Sequence, residues 1–218
     1  MKYYNLVPTR DKNIIGEYPQ VKTDTKPFEW LLPPLKNQIR YDNFLNFDIY
    51  FDFILNDNAR YTDILDRGSL SWGLVINNTF RNAVVNLVLP EHRFYPIKVL
   101  KGNLVQEYYW FHFYDNIFKY LDLKASTFEI FNTSNFEIVD TLPITSELYI
   151  RDIQNSFRFE KNMRLKELIF NGSFPKYDLW LYDVWGFGNI ISERLVQTLL
   201  AKKITGYELA DCKYSKYV

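Results

Sequence analysis

Two separate segments of the chain repeat the same order of apolar, capping and helix-forming residues. They cover residues 72–85 and residues 185–200, and each begins with Trp-Gly and a short apolar run. When two extra residues are allowed after the second Trp-Gly, Asn77 aligns with Ser192. The chain must therefore fold in a way that accommodates two similar units, and this requirement restricts its architecture more than any other feature.

Each copy predicts a strand, a capped helix and a second strand. The aligned Asn and Ser are favoured N-cap residues, because their side chains accept hydrogen bonds from free amides of the first helical turn. After each cap, apolar residues recur in the same order: Phe80, Val84 and Val85, then Leu195, Leu199 and Leu200. This spacing places one buried stripe on a short helix. A second strand is predicted at residues 92–99 in one copy and 206–209 in the other.

Chance similarity between two amphipathic helices is the alternative to a true repeat, because helical periodicity is common. The matched Trp-Gly start and the matched cap position favour two related strand–helix–strand units. We expect one such unit at the heart of each half of the chain.

Apolar runs predict further strands outside the two units. They cover residues 2–7, 47–55, 104–113, 127–131, 136–139, 168–170 and 179–182. The run at 104–113 is apolar or aromatic on both faces, which predicts a strand in the middle of its sheet. The runs at 127–131 and 136–139 predict a hairpin. Ser146 is placed to cap a helix that extends to about Asn155.

Three stretches are not assigned to a helix or a strand. Residues 8–27 are polar, and the stretch after Asn56 is mostly polar as far as Gly68. Residues 30–34 are predicted as an irregular packed segment, because paired prolines resist both helix and central strand.

These elements define a fold of the α+β class, with mixed, largely antiparallel sheets and short helices built from the two units. The 17 Tyr, 18 Phe and 5 Trp residues favour sheet, because aromatic side chains suit half-buried pleated surfaces. An AT-rich coding sequence would also raise Tyr and Phe content. We predict an N-terminal half, residues 1–115, and a C-terminal half, residues 116–218. No Gly, Ser or Pro-rich linker separates them, so we expect one globular body.

The charge balance argues against nucleic acid as a partner. Lys plus Arg is 26 and Asp plus Glu is 26, whereas proteins that bind phosphate backbones usually carry a basic excess. The first residues lack the apolar core of a secretory signal, and no run approaches the roughly 18 apolar residues of a membrane span. Cys212 is the only cysteine, so no intramolecular disulfide can form. Together these features predict a cytoplasmic protein.

The residues that usually carry chemistry are few and scattered. His92 and His112 are the only histidines, and no cluster has the spacing of a zinc site. We expect His112 to be a core or edge residue of its strand, and His92 to have a capping or surface role. A nucleophilic pair would need Cys212, which lies in a tail that we expect to be exposed.

Two weaker patterns also favour structural roles. Asp48 and Asp52 share one face of a strand, but four residues at about 3.3 Å each separate their backbones by roughly 13 Å. That distance exceeds the separation of glycosidase carboxyl pairs. The Gly186-Phe187-Gly188 turn lacks the third glycine and the Lys-Ser/Thr of phosphate-binding loops. The sequence therefore predicts no catalytic, cofactor-binding or metal-binding residue.

The segments around the two units resemble a known family. They are Trp72–Asn77, Leu89–Pro96, Tyr109–Phe113, Ile190–Leu195 and Ile204–Leu209. Together they resemble a bacterial family grouped with the immunity proteins of polymorphic toxin systems, among the classes numbered eleven and forty-three. The resemblance covers most of residues 68–114 and 165–210. Its motifs are structural, and Asn77 stands where the pattern has Ser, which preserves the cap.

The resemblance implies a small cytoplasmic protein, not an enzyme, that neutralises a cognate toxin by binding it directly. It implies no cofactor, no nucleic acid and no membrane partner, and it does not identify the partner-binding residues. Tyr and Trp are enriched at binding hot spots, although core packing explains most of them here.

Two other functions stay open from the residues alone. The first is an enzyme or small-ligand binder, which would have a pocket converging on His92, His112, Asp183 or Arg194. The second is a structural or assembly component of a bacterial secretion or surface system, which would form a stable homo-oligomer.

Overall fold

The structure, a computed structural model, describes residues 2–22, 42–45, 52–68, 70, 72–143, 145–157, 159–182, 188–211 and 215–216. These residues form an α+β fold of short helices and mostly antiparallel strands, as predicted. The helices are α1 (Lys12–Ile15), α2 (Asn78–Val84), α3 (Glu147–Ser156) and α4 (Glu193–Ala201), with a 3-10 helix at Ile117–Tyr120.

A six-stranded sheet carries the first unit. Its strands, in spatial order, are β2 (Val21–Lys22), β3 (Asp52–Leu55), β6 (Glu91–Lys101), β7 (Leu104–Tyr114), β5 (Leu74–Ile76) and β4 (Ile64–Leu65). Strand β7 lies between β6 and β5, which confirms the predicted central strand. Its first four residues are exposed, so only the later part of β7 is buried on both faces.

A four-stranded antiparallel sheet carries the second unit. Its order is β11 (Leu179–Tyr182), β12 (Gly188–Ser192), β1 (Tyr3–Pro8) and β13 (Tyr207–Asp211). Strand β1, from the start of the described chain, lies between β12 and β13 and pairs with both.

A third sheet contains the predicted hairpin. Its order is β14 (Ser215–Lys216), β10 (Lys161–Ile169), β8 (Thr127–Asn132) and β9 (Ile138–Pro143). Strands β8 and β9 are antiparallel, and β9 pairs with β8 alone among the described strands. Helix α3 begins after Ser146, whose hydroxyl accepts a hydrogen bond from Tyr149 N at 3.0 Å, as a cap does.

The two units match in strand register, and not only in the order of their elements. Ile64 lies opposite Ile76 in β4 and β5, and Leu179 lies opposite Ile191 in β11 and β12. Adding 115 to the first pair of numbers gives the second pair. The same shift of 115 residues relates β6 to β13. Strand β6 pairs with β7 in the same register in which β13 pairs with β1.

Both predicted caps form. The Asn77 side chain accepts a hydrogen bond from Phe80 N at 3.2 Å, and the Ser192 hydroxyl accepts one from Leu195 N at 3.1 Å. Phe80 and Val84 of α2 and Leu195 and Leu199 of α4 then pack into one core cluster, with Leu6 of β1 and Phe111 of β7 beside them. The predicted third members of the two stripes, Val85 and Leu200, are 69% and 57% exposed, so that part of the prediction was wrong: a residue five positions after the first points away from the buried side of the helix. This cluster draws residues from both predicted halves, whose division at residue 115 stays a prediction.

Two of the three unassigned stretches contain regular structure, so leaving them without an element was wrong. The stretch 8–27 contains α1, which Asp11 caps through Asn13 N, and β2. The stretch after Asn56 contains β4, whose two residues are fully buried. These elements are too short for a periodic pattern, and neighbouring strands stabilise them. Segment 30–34 and residues 47–51 of the predicted strand 47–55 lie outside the described residues.

Within the described ranges, no helix combines the length and the apolar character needed to cross a membrane.

Candidate functional site

A polar depression of about 680 Å³ opens where β6 begins and β7 ends. Residues 42–44 form one wall, and the 3-10 helix with Tyr177 forms the other. Five ionisable side chains of both signs line it: Asp42, Glu91, Arg93, Asp115 and Lys119. Four aromatic residues, Phe44, Tyr114, Tyr120 and Tyr177, and two asparagines, Asn43 and Asn116, complete the lining. We refer to this cavity as the polar depression.

Asp115 is the hydrogen-bonding centre of the polar depression. Its Oδ2 accepts hydrogen bonds from the hydroxyls of Tyr120 at 2.8 Å and Tyr177 at 2.7 Å, and its Oδ1 accepts one from Lys119. Burial alone would raise the pKa of Asp115, but these three hydrogen bonds outweigh it and hold the pKa below its usual value. Burial, followed by the hydrogen bonds to Tyr120 and Asp115, raises the pKa of Tyr177. The Asp115 carboxylate therefore stays charged and the Tyr177 phenol stays neutral near pH 7.

The wall formed by residues 42–44 is held in place through the backbone carbonyl of Leu45. Arg93 Nη1 donates to Leu45 O at 2.6 Å, and the Tyr95 hydroxyl donates to the same oxygen at 3.1 Å. Arg93 thus holds residues 42–45 against β6. Glu91 begins β6, and its side chain is exposed at the mouth of the depression.

A second surface is apolar and lies at the turn between β8 and β9. It consists of Phe136, Ile138, Val139 and Phe159, which are 67%, 53%, 47% and 98% exposed. The hydroxyl of Thr133, in the turn, donates to Phe159 O at 2.6 Å, which brings Phe159 beside the hairpin. We refer to these four residues as the hairpin surface.

The backbone at Phe136 is strained. Its φ is +59°, in the left-handed region that bulky side chains rarely adopt. The ring stacks on Phe131 with a centroid separation of 5.9 Å, yet most of it stays in contact with solvent. Strain of this kind is found preferentially at functional positions.

The free edge of β9 is a poor template for a further strand. Its pairing with β8 contains an irregularity between Ile130 and Phe131, and Pro143 at its end has no amide hydrogen to donate. Bulges and prolines are the devices by which natural proteins block edge pairing. These features disfavour the addition of a further strand at β9.

The two histidines lie outside the polar depression. His112 is fully buried in β7, where it stacks on Trp110 at 5.1 Å and contacts Phe44 at 4.7 Å, which confirms its core position. His92 is exposed, and its Nδ1 lies 2.8 Å from Pro90 O.

Arg194 belongs to a structural ion pair. Its guanidinium makes two hydrogen bonds to the carboxylate of Asp178, which is fully buried and also accepts one from the Ser192 hydroxyl at 2.6 Å. These hydrogen bonds, with one from Val88 N, overcome the effect of burial and lower the pKa of Asp178. The pair anchors the start of α4 and does not line the polar depression.

Several residues considered from the sequence cannot be placed. Asp48, Asp183, Gly186, Phe187 and Cys212 lie outside the described residues. Asp52 is exposed at the start of β3, in agreement with a solvated sheet face, and Gly188 begins β12.

Among the described residues, no group of three or more His, Cys, Asp or Glu side chains is arranged to hold a metal ion. Neither a protein-family model nor a curated protein matches the sequence. The polar depression and the hairpin surface are therefore interpreted from their geometry alone.

Sequence analysis missed the residues that form both surfaces. Asp115 and Lys119 carry a weak signal, since a spacing of four allows an ion pair across a helical turn. Tyr177 has none, because it reaches Asp115 across 62 residues. Phe136 and Phe159 resemble core aromatics in sequence, and only their exposure distinguishes them.

Proposed function

We propose that this chain is a protein-binding protein of a bacterial toxin–immunity system, and that it neutralises a cognate toxin in the cytoplasm by direct, non-catalytic binding. The observation that carries the proposal is the hairpin surface. Soluble proteins seldom expose several large apolar side chains together unless a partner covers them. A protein partner suits these side chains, because they are exposed along an edge strand and its turn.

The strain at Phe136 supports the same function. Holding an aromatic ring outward on a left-handed backbone costs about 1–2 kcal/mol, and ring packing within the protein offsets little of that cost because most of the ring is exposed. Contact with a partner would use the ring fully, since large aromatic side chains dominate binding energy at protein interfaces. The resemblance of the two units to immunity proteins points to a toxin as that partner.

A growth-protection assay tests the proposal. The gene is co-expressed in bacteria with each neighbouring open reading frame whose product alone is toxic, and the pairs that restore growth are purified together. A double variant, Phe136→Ser with Phe159→Ser, should then lose protection and bind the toxin at least about tenfold more weakly.

The matched control is Leu104→Ser with Val105→Ser. These residues are also apolar and exposed, at the turn between β6 and β7, so the control removes similar area from another surface. It should retain protection. If no neighbouring product is toxic, or if both double variants protect equally well, the proposal is wrong.

A further inference from the structure

The charged groups of the polar depression differ in the hydrogen bonds and ion pairs that they make within the protein. Lys119 is paired with Asp115, and Arg93 donates to Leu45 O at 2.6 Å. Glu91 differs from them, because no described residue donates a hydrogen bond to its carboxylate or forms an ion pair with it. The hydrogen-bond acceptors that stay open for a ligand are therefore concentrated at Glu91.

The aromatic lining suits the same kind of ligand. The faces of aromatic rings carry negative potential and attract cations. The protein already uses one ring in this way, since Lys119 Nζ lies 4.8 Å from the centre of the Tyr120 ring. Tyr114 provides a further ring directly across from Glu91 in the β6–β7 pair, and Phe44 also lines the depression.

We propose that the polar depression binds a guanidinium or ammonium group between Glu91 and the aromatic rings of its wall. The three acidic and two basic side chains of the lining give it a formal charge of −1. An anion would have to displace Lys119 from Asp115 or Arg93 from Leu45, whereas a cation leaves both contacts in place. The volume of about 680 Å³ lies in the range of ligand-binding cavities.

Two sources can supply this group, namely a basic side chain of a partner protein or a free small amine. Both require the same carboxylate and the same rings. This binding site does not include residues of the hairpin surface. The inference therefore goes beyond the proposed function, and either one can be wrong without the other.

The test is a titration of the isotope-labelled protein with blocked amino acids, followed by amide chemical shifts. N-acetyl-L-arginine amide should shift the signals of residues 91–93 and 114–120 with a dissociation constant of roughly millimolar order. N-acetyl-L-citrulline amide has nearly the same shape without the charge and should not. Agmatine is compared in parallel. Stronger binding of agmatine than of the blocked arginine indicates a free small amine, and the reverse indicates a side chain of a protein.

Glu91→Gln removes the open carboxylate charge at an exposed position and should weaken binding of N-acetyl-L-arginine amide about fivefold. Its matched control is Glu107→Gln, an exposed glutamate on β7 outside the depression, which should bind as the unmodified protein does. Equal binding of arginine and citrulline amides would overturn the proposal. So would preferential binding of N-acetyl-L-glutamate amide, or undiminished binding by the Glu91 variant.

Discussion

Asp63 and Asp178 occupy equivalent positions in the two units, and each carboxylate joins its own unit to the other one. Asp63 precedes β4, and its Oδ1 accepts a hydrogen bond from Asn77 Nδ2 at 2.9 Å. Its Oδ2 accepts one from Thr205 N at 2.7 Å, in the turn after α4. One aspartate thus holds both the cap of its own helix and the end of the other helix.

Asp178 makes the reciprocal contacts. Its Oδ1 accepts a hydrogen bond from the cap residue Ser192, and its Oδ2 accepts one from Val88 N at 2.8 Å, in the segment after α2. Arg194 adds an ion pair that has no counterpart at Asp63 in the described contacts. The repeat therefore extends to the polar contacts between the units, which the alignment of apolar residues did not predict.

Replacing Asp178 by Ala should destabilise the protein more than replacing Asp63 by Ala. Asp178 is fully buried, and its removal leaves several hydrogen-bond donors unpaired. We therefore expect the free energy of unfolding to fall by roughly 3 kcal/mol. Asp63 is only partly buried, and we expect roughly 1–2 kcal/mol. Urea unfolding measures both, with Asp52→Ala as an exposed control. Equal decreases in the free energy of unfolding for the Asp63 and Asp178 variants would contradict this prediction.

Stability should decline in acid, and Asp115 and Asp178 should account for part of the decline. Folding lowers the pKa of both groups, so below about pH 4, near the unfolded value, the unfolded chain binds more protons. Their contribution is complete above that pH and is lost as the pH falls through the folded values. Urea midpoints between about pH 2 and 6 should therefore rise with pH. Asp115→Asn and Asp178→Asn should flatten this curve, and variant curves parallel to that of the unmodified protein would exclude the mechanism.

Gly206→Ala should be far more damaging than Gly102→Ala. At Gly206, φ is +90° and an added Cβ would lie 2.0 Å from Ile64 O, a backbone atom that cannot easily move. We expect the free energy of unfolding to fall by more than about 3 kcal/mol, or the variant to fail to fold. Gly102 has φ +56° with open space around it, so only the left-handed backbone is penalised, by about 1 kcal/mol. Thermal unfolding of both variants measures the difference, and similar melting temperatures would contradict the prediction.

Phe136→Asn should keep or raise stability while it removes binding. Asn tolerates the left-handed backbone better than Phe, so relief of strain should at least balance the lost stacking on Phe131, with a net gain of up to about 1 kcal/mol. Denaturant unfolding measures this balance. A loss above about 1 kcal/mol would show that the exposed ring serves the fold, which would weaken its assignment to a partner.

Much of the fold could be predicted because local patterns and tertiary structure agree. The cap residues, the central strand and four of the six stripe residues were predicted correctly, and the predicted strand 179–182 matches β11 residue for residue. Strand β4 and helix α1 could not be found, since each has too few residues to show a period. They form because neighbouring strands and backbone hydrogen bonds hold them.

The candidate site was harder to predict than the fold, and the reason is physical. The polar depression joins residues from four separate stretches of the chain, and nothing in the sequence near Glu91 indicates that Asp115 and Tyr177 approach it. Asp178 was overlooked for a related reason. A single aspartate before an apolar strand resembles a turn residue, and only the fold shows that it is buried.

The position of β1 has a consequence for how the protein forms during synthesis. The ribosome releases this strand long before its neighbours β12 and β13. Until then the strand has no pairing partner in the second sheet, whereas β6 and β7 can pair as soon as their hairpin emerges. We expect the first unit to assemble early and the second to close only when residues 207–211 are free. A chain interrupted before β12 would leave β1 without either of its pairing partners, so quality control in the cell could recognise incomplete molecules by that unpaired strand.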